Sequence, residues 1–242
     1  MTALALRTER PAPDLPPAFS WAAPPPGIPV HDFARDAAAR LGAGSLTSRT
    51  GDRVLEFAVV LEPEERLRDA RRSALVGMAA LADAVGSAAP PEMPVAIRYP
   101  DVIEFDGARL GGGRLAWPES CGEEDVPDWL VFSAMLIASK RHAGDPGLTP
   151  DSTALDEEGF GPGAPDAIVE AFARYLLLGF DAVRDRGFAA WSDAYRRWMR
   201  DARTAWLDAD GNLRTGTGEV VRLAQALADA SWFDPGTGAP RL

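Results

Sequence analysis

The residues best suited to chemistry lie in one stretch, Tyr99-Pro-Asp-Val-Ile-Glu-Phe-Asp-Gly-Ala-Arg-Leu-Gly-Gly-Gly113. Arg109 supplies a permanent charge on a planar fork that grips a carboxylate or phosphate at two points. Gly111, Gly112 and Gly113 follow it. Consecutive glycines let a ligand approach the backbone and leave N–H groups for an anion. A glycine-rich strand packed under a helix would read the same way. Tyr99 and Asp101 open the stretch and join the candidate ligand-binding set. Arg49 and Arg53, in Ser48-Arg-Thr-Gly-Asp-Arg53, form a second candidate, as caps on a phosphate. The plainer reading of that pair is two solvated surface arginines.

No catalytic residue stands out beside these binding candidates. Cys121 is the one cysteine, and it sits among Glu119, Glu123, Glu124 and Asp125. Those carboxylates raise a thiol pKa and oppose nucleophilic attack. Lys140 is the one lysine among 25 basic residues, at the end of an apolar run, and reads as a surface residue. His31 and His142 are isolated, so no His/Cys cluster has metal-ligand spacing and no metal site is expected. Asp156-Glu157-Glu158 reads as a solvated turn.

The elements that must position these groups follow from periodicity. Val30 to Leu41 has helical spacing, and Val54 to Leu61 alternates as a strand. Leu67 to Val85 reads as one long amphipathic helix. Two β-rich runs flank Asp106-Gly107, a hairpin signal. Trp129 to Ala138 is a nearly continuous apolar run, as in a central strand. A Gly/Pro/Asp-rich loop covers 141–166. Helices are expected over 164–184 and 188–199, the second with Trp191, Tyr195 and either Trp198 or Met199 facing inward. A strand, turn and strand are expected from Ala205, and Glu219 to Ala230 reads either as a helix or as further short strands. This order predicts an α+β fold with a mixed or mostly antiparallel sheet flanked by helices. The expected organisation is a flexible N-terminal arm (1–17), a main domain (18–200) and a small C-terminal module (201–242).

A net charge of −11 over 242 residues disfavours nucleic acid and anionic membranes as partners. No apolar run reaches membrane-spanning length, and no signal pattern opens the chain. A soluble, cytoplasmic protein is the expectation.

Several stretches resemble the biotin/lipoate protein ligase family. Tyr99 to Gly113 is similar to the family hairpin that reads Trp-Pro-Asn-Asp, strand, turn, Lys-Leu-Gly-Gly, with the same spacing from the aromatic to the basic residue. Thr153-Ala-Leu-Asp-Glu-Glu-Gly159 resembles the family's Ala-Thr-Ser-Leu-x-Glu-Glu-Gly. The strand ending Val59-Val60-Leu61-Glu62-Pro63 and the helix after it also fit, and the likeness covers roughly 40–200 in order.

The resemblance implies a biotin/lipoate ligase-like mixed sheet flanked by helices. It implies activation of a small acyl carboxylate through ATP as an acyl-adenylate, then transfer to a carrier protein. Four positions depart from the family pattern. Arg109 stands at the lysine position, and Asp101 and Val102 replace Asn and Asp. The Gly-Arg-Gly-Arg loop shrinks to the segment holding Arg49 and Arg53, and Ser133-Ala-Met-Leu-Ile-Ala138 replaces Gly-x-Gly-x-Asn. Together they imply binding of an acyl carboxylate or acyl-adenylate with altered or lost ligase activity. A catalytically dead scaffold acting through protein–protein contacts, such as those of a homodimer across a sheet edge, is the alternative, and an active biotin or lipoyl/octanoyl ligase is a third.

Overall fold

The computed structural model describes residues 12–91 and 94–242. The chain order is β1 (Ser20–Trp21), α1 (Val30–Leu41), β2 (Ser45–Thr50), β3 (Val54–Leu61), α2 (Leu67–Ala70), α3 (Ser73–Ala88), β4 (Val95–Arg98), β5 (Val102–Phe105), β6 (Ala108–Ala116), β7 (Leu130–Ile137), α4 (Ala164–Arg186), α5 (Phe188–Arg196), β8 (Ala205–Leu207), β9 (Leu213–Thr215), β10 (Val220–Val221), α6 (Leu223–Ala228), β11 (Phe233–Asp234) and β12 (Ala239–Pro240). The first seven strands make one sheet in the order β1-β2-β3-β7-β6-β5-β4. Only β1 and β2 are parallel among these pairs. The fold is α+β with a mixed sheet.

Local chemistry explains the key joints. Asp106 and Gly107 both take positive φ, 48° and 81°, which matches a two-residue hairpin to the twist of β5 and β6. Acidic Asp32 in the first turn of α1 and Arg40 in the last suit the helix dipole, and Gly42 ends the helix at φ 75°. The helix expected over 67–85 is two helices. At Arg72, Ala74 and Leu75 the backbone N–H bonds go three residues back, to Asp69, Arg71 and Arg72, which tightens the turn and redirects the chain. The Arg72 guanidinium spans this corner, donating to Glu65 and to the Ala209 carbonyl.

Strand alternation divides the sheet into two faces. The inner face carries Leu55, Phe57, Phe132, Leu136 and Leu115, and α3 and α4 cover it. Phe172 of α4 stacks on Phe132 at 5.7 Å and tilts against Phe57 at 4.7 Å. Gly77 and Gly113 let this layer close, since a side-chain carbon at either would lie under 3 Å from Phe132. The outer face is covered at one end by α1, through Val30, Ala34 and Ala38 on Ala58, Val60 and Val131. Its other end is covered by the last residues of the chain, through Trp232 on Val102 and Met135.

Strands β8 to β10 form their own sheet, yet Ala205, Leu207 and Leu223 belong to the main core. Of the expected arm, residues 1–11 lie outside the described residues. The part that is described lies on α4, where the Asp14 N–H donates to Glu170. The β4 edge of the sheet is closed by the chain itself, with Ile97 N–H donating to Trp198 O and Arg200 N–H to Ile97 O.

Candidate functional site

The hairpin β5–β6 sits inside the large sheet, with β7 on one side and β4 on the other. Its glycines therefore lie in paired strand. Gly113 N–H donates to Asp101 O at 2.8 Å, and Gly111 and Gly112 stand opposite Leu136 and Met135. The N–H groups are spent on the sheet rather than turned to an open surface, because β6 has a neighbour on each side. Each glycine has a separate use. A side-chain carbon at Gly111 would collide with the Met135 carbonyl oxygen. One at Gly113 would meet Met78 and Phe132 on the inner face. Gly112 faces outward and leaves room for a ring: a side-chain carbon there would sit 2.6 Å from the Trp232 indole.

Trp232 is fully buried and its indole N–H donates to Gly113 O at 3.3 Å. Arg109 lies at one end of this groove and donates from Nε to Arg241 O at 3.0 Å. Arg114 lies at the other end, its guanidinium 4.5 Å over the ring of Phe233. Arg109 and the glycines are thus brought together, and the place they frame holds the chain's own tail. Asp101 is buried beside the indole. Burial pushes its carboxyl up to about 7, against hydrogen bonding to Trp232 and the charge of Arg98, which pull it down. Tyr99 does not face the groove. Its hydroxyl donates to Gly211 O at 2.9 Å and ties the hairpin to the β8–β9 turn, and burial raises its pKa.

Arg49 and Arg53 do not share a site. Arg49 is bound by the Pro-rich lead-in, donating to Pro25 O at 2.6 Å and Ile28 O at 2.8 Å, and pairs with Glu56 at 3.1 Å. Its donors are satisfied inside the fold, which leaves little for a phosphate. Arg53 stands exposed at the β2–β3 turn, at the mouth of a cleft of about 590 Å³ shared with Ser139, His142 and Asp156.

A polar row on the outer face escaped the sequence. His31 of α1 and Ser133 of β7 are hydrogen-bonded at 2.8 Å. Burial, with the charges of Arg114 and Arg35, pushes His31 down to about 3, so the imidazole is neutral. Ser133 stands opposite Arg114, and Glu56 in β3 accepts from Val30 N–H at the start of α1. Alternation along β6 was the available signal, since it places Gly112 and Arg114 on one face.

Lys140 is not a surface residue. It is buried, pairs with Glu157 at 3.1 Å and donates to Ser152 O at 2.5 Å, and so pins the loop before α4. Thr153 and Glu158 are hydrogen-bonded in the same loop. The Cys121 thiol is pushed up by desolvation and by Asp125 and Asp128. Among the described residues, no group of three His, Cys, Asp or Glu is placed to hold a metal ion, and no helix is long and apolar enough to cross a membrane.

Comparison with known proteins agrees with this architecture. The chain is 29% identical over 178 residues to a biotin–[acetyl-CoA-carboxylase] ligase of Paracoccus denitrificans, covering 71% of this chain and 69% of that one. A biotin protein ligase-like protein of unknown function from Silicibacter sp. TM1040 superposes with a TM-score of 0.76 at 28% identity, over 89% of this chain and 99% of that one. The biotin protein ligase of Aquifex aeolicus shares the fold, with a TM-score of 0.64 at 13% identity, over 86% and 97%. The model of the biotin/lipoate A/B protein ligase family matches residues 15–197, and the chain belongs to that family.

Proposed function

We propose that this protein binds a small acyl carboxylate, or its adenylate, in the groove above Gly112, and that its ligase chemistry is altered or lost. One observation carries the reading. The groove takes a flat ring directly on the sheet backbone, offers Gly113 O to a ring N–H, and has a guanidinium at each end. Those are the features that hold a ring-bearing or chain-bearing acid by its body and its anion. The Aquifex relative has been solved in complex with biotin and ATP, which makes those two compounds the natural first probes.

The chemistry of adenylate formation explains the second half. A carboxylate must meet the α-phosphate of ATP, so fixed cations must offset the charge that builds between two anions. Arg109 keeps the charge of a lysine, with different reach and geometry. Lys140 cannot stand in, because it is buried and committed to Glu157 and Ser152. Binding therefore survives the substitution better than turnover.

A thermal-shift screen against biotin, lipoate, octanoate and their adenylates, with and without ATP, tests the reading, since a ligand that binds only the native state raises Tm. A shift that Arg109→Ala abolishes supports it. No shift with any compound overturns it in favour of the second reading, a scaffold working through protein contacts. The seating of Trp232 in the groove is the observation that favours that alternative.

A further inference from the structure

The chain's last residues lie over the groove on the outer face, where Trp232 packs with Val102 and Met135. Strands β11 and β12 pair only with each other, as a sheet apart from the seven-stranded one. The tail's described backbone bonds are internal: Arg241 N–H to Trp232 O, Phe233 N–H to Ala230 O and Gly238 N–H to Asp234 O. What fastens it to the sheet is side-chain contact, including the burial of Trp232 on Val102 and Met135. The indole lies on Gly112 and donates to Gly113 O over a long 3.3 Å, Phe233 accepts the Arg114 guanidinium on its ring, and Arg109 reaches Arg241 O. A hairpin that completes its own backbone pairing can leave without stranding buried N–H groups, whereas a strand of the large sheet cannot.

The polar and ring contacts among these use the same groups that the groove would offer to a ligand. Gly112 gives the floor, Gly113 O the acceptor, and Arg109 and Arg114 the charges. We infer that the segment Trp232–Arg241 is an autoinhibitory strap, and that ligand and tail occupy the Gly112 groove in turn. The strap rests on the acyl-binding reading above, and it adds regulation of that site. Burial of Trp232 and Asp101 together makes the closed state the resting one. Each ligand then binds with its affinity lowered by the fraction of molecules whose strap is open.

The test uses the full chain and two probes, biotinyl-adenylate and octanoyl-adenylate. Trp232→Ala, checked for a cooperative unfolding transition, is expected to bind at least one probe about ten-fold or more tighter than the unaltered protein. The second measurement needs no variant. Hydrogen exchange of the unaltered protein with saturating probe is expected to quicken at 233–241 and to slow across 108–116. Equal affinity in both proteins, or tail amides that stay equally protected when probe is bound, overturns the strap and leaves the acyl-binding reading standing. Absence of probe binding by both proteins overturns the two together.

Discussion

Phe132 and Ser133 are neighbours in β7 and point to opposite sides of the large sheet. Phe132 enters a layer of aromatic and aliphatic side chains under α3 and α4, with Phe172 stacked on it. Ser133 enters a row holding a neutral histidine, a guanidinium, and a glycine that admits an indole. The inner face is closed by long helices whose apolar stripes run its length. The outer face is closed piecewise, by α1 at one end and the segment around Trp232 at the other. Continuous apolar packing and a row of polar groups are thus assigned to different faces of the same strands, and period-two alternation is what permits it.

The comparison can be broken by substitution. Phe132→Ala removes a ring with no water to replace it and should cost about 3–5 kcal/mol in denaturant unfolding. The glycines come next. Gly113→Ala pushes a methyl into Met78 and Phe132, and should cost about 1–3 kcal/mol. Gly112→Ala meets the Trp232 ring and the Asp101 carbonyl oxygen. It should both destabilise and speed exchange in the tail, whereas Gly113→Ala should leave tail exchange unchanged. Tail exchange that responds equally to both would erase the distinction between the faces.

The outer face should also carry the pH dependence. His31 titrates near 3 when folded and has an ordinary value of 6.5, so its contribution is present above about 6.5 and is lost as pH falls toward 3. Asp101 titrates near 7 when folded against an ordinary 3.8, so its contribution is present below 3.8 and fades as pH rises through 7. Melting temperature against pH should flatten on the acid side in His31→Gln and between pH 4 and 7 in Asp101→Asn. Ser133→Ala should cost about 1 kcal/mol, the worth of one hydrogen bond to a neutral partner. The smallest effect belongs to exposed ion pairs. Glu124→Gln, which removes the ion pairs to Arg66 and Arg68, should change stability by under about 1 kcal/mol, and less in high salt.

Much of the fold was legible because its signals are local. The Asp106-Gly107 turn lies where the hairpin was expected, with β5 and β6 on either side. The continuous apolar run became β7, buried at every residue, and the long 164–184 stripe became α4. The break at Arg71–Arg72 was not legible, since apolar spacing continues through it while bonds from Arg72 to Glu65 and Ala209 bend the chain. Arg109 and the glycines could be nominated from type and spacing. That Arg49 is spent on proline carbonyls more than twenty residues earlier could not, because such a bond leaves no periodic trace.

Local pattern and motif order were enough to establish which segments are helix or strand, which strand carries the glycines, and that the chain resembles one ligase family. Such preferences are written into residues a few positions apart, so a linear reading recovers them. Three-dimensional packing settled what those residues touch. It buried Lys140 against Glu157, paired His31 with Ser133 across 102 residues, and laid Trp232 on Gly112. Each of these contacts joins distant parts of the chain, and its stability depends on the desolvation and geometry that only the closed fold provides.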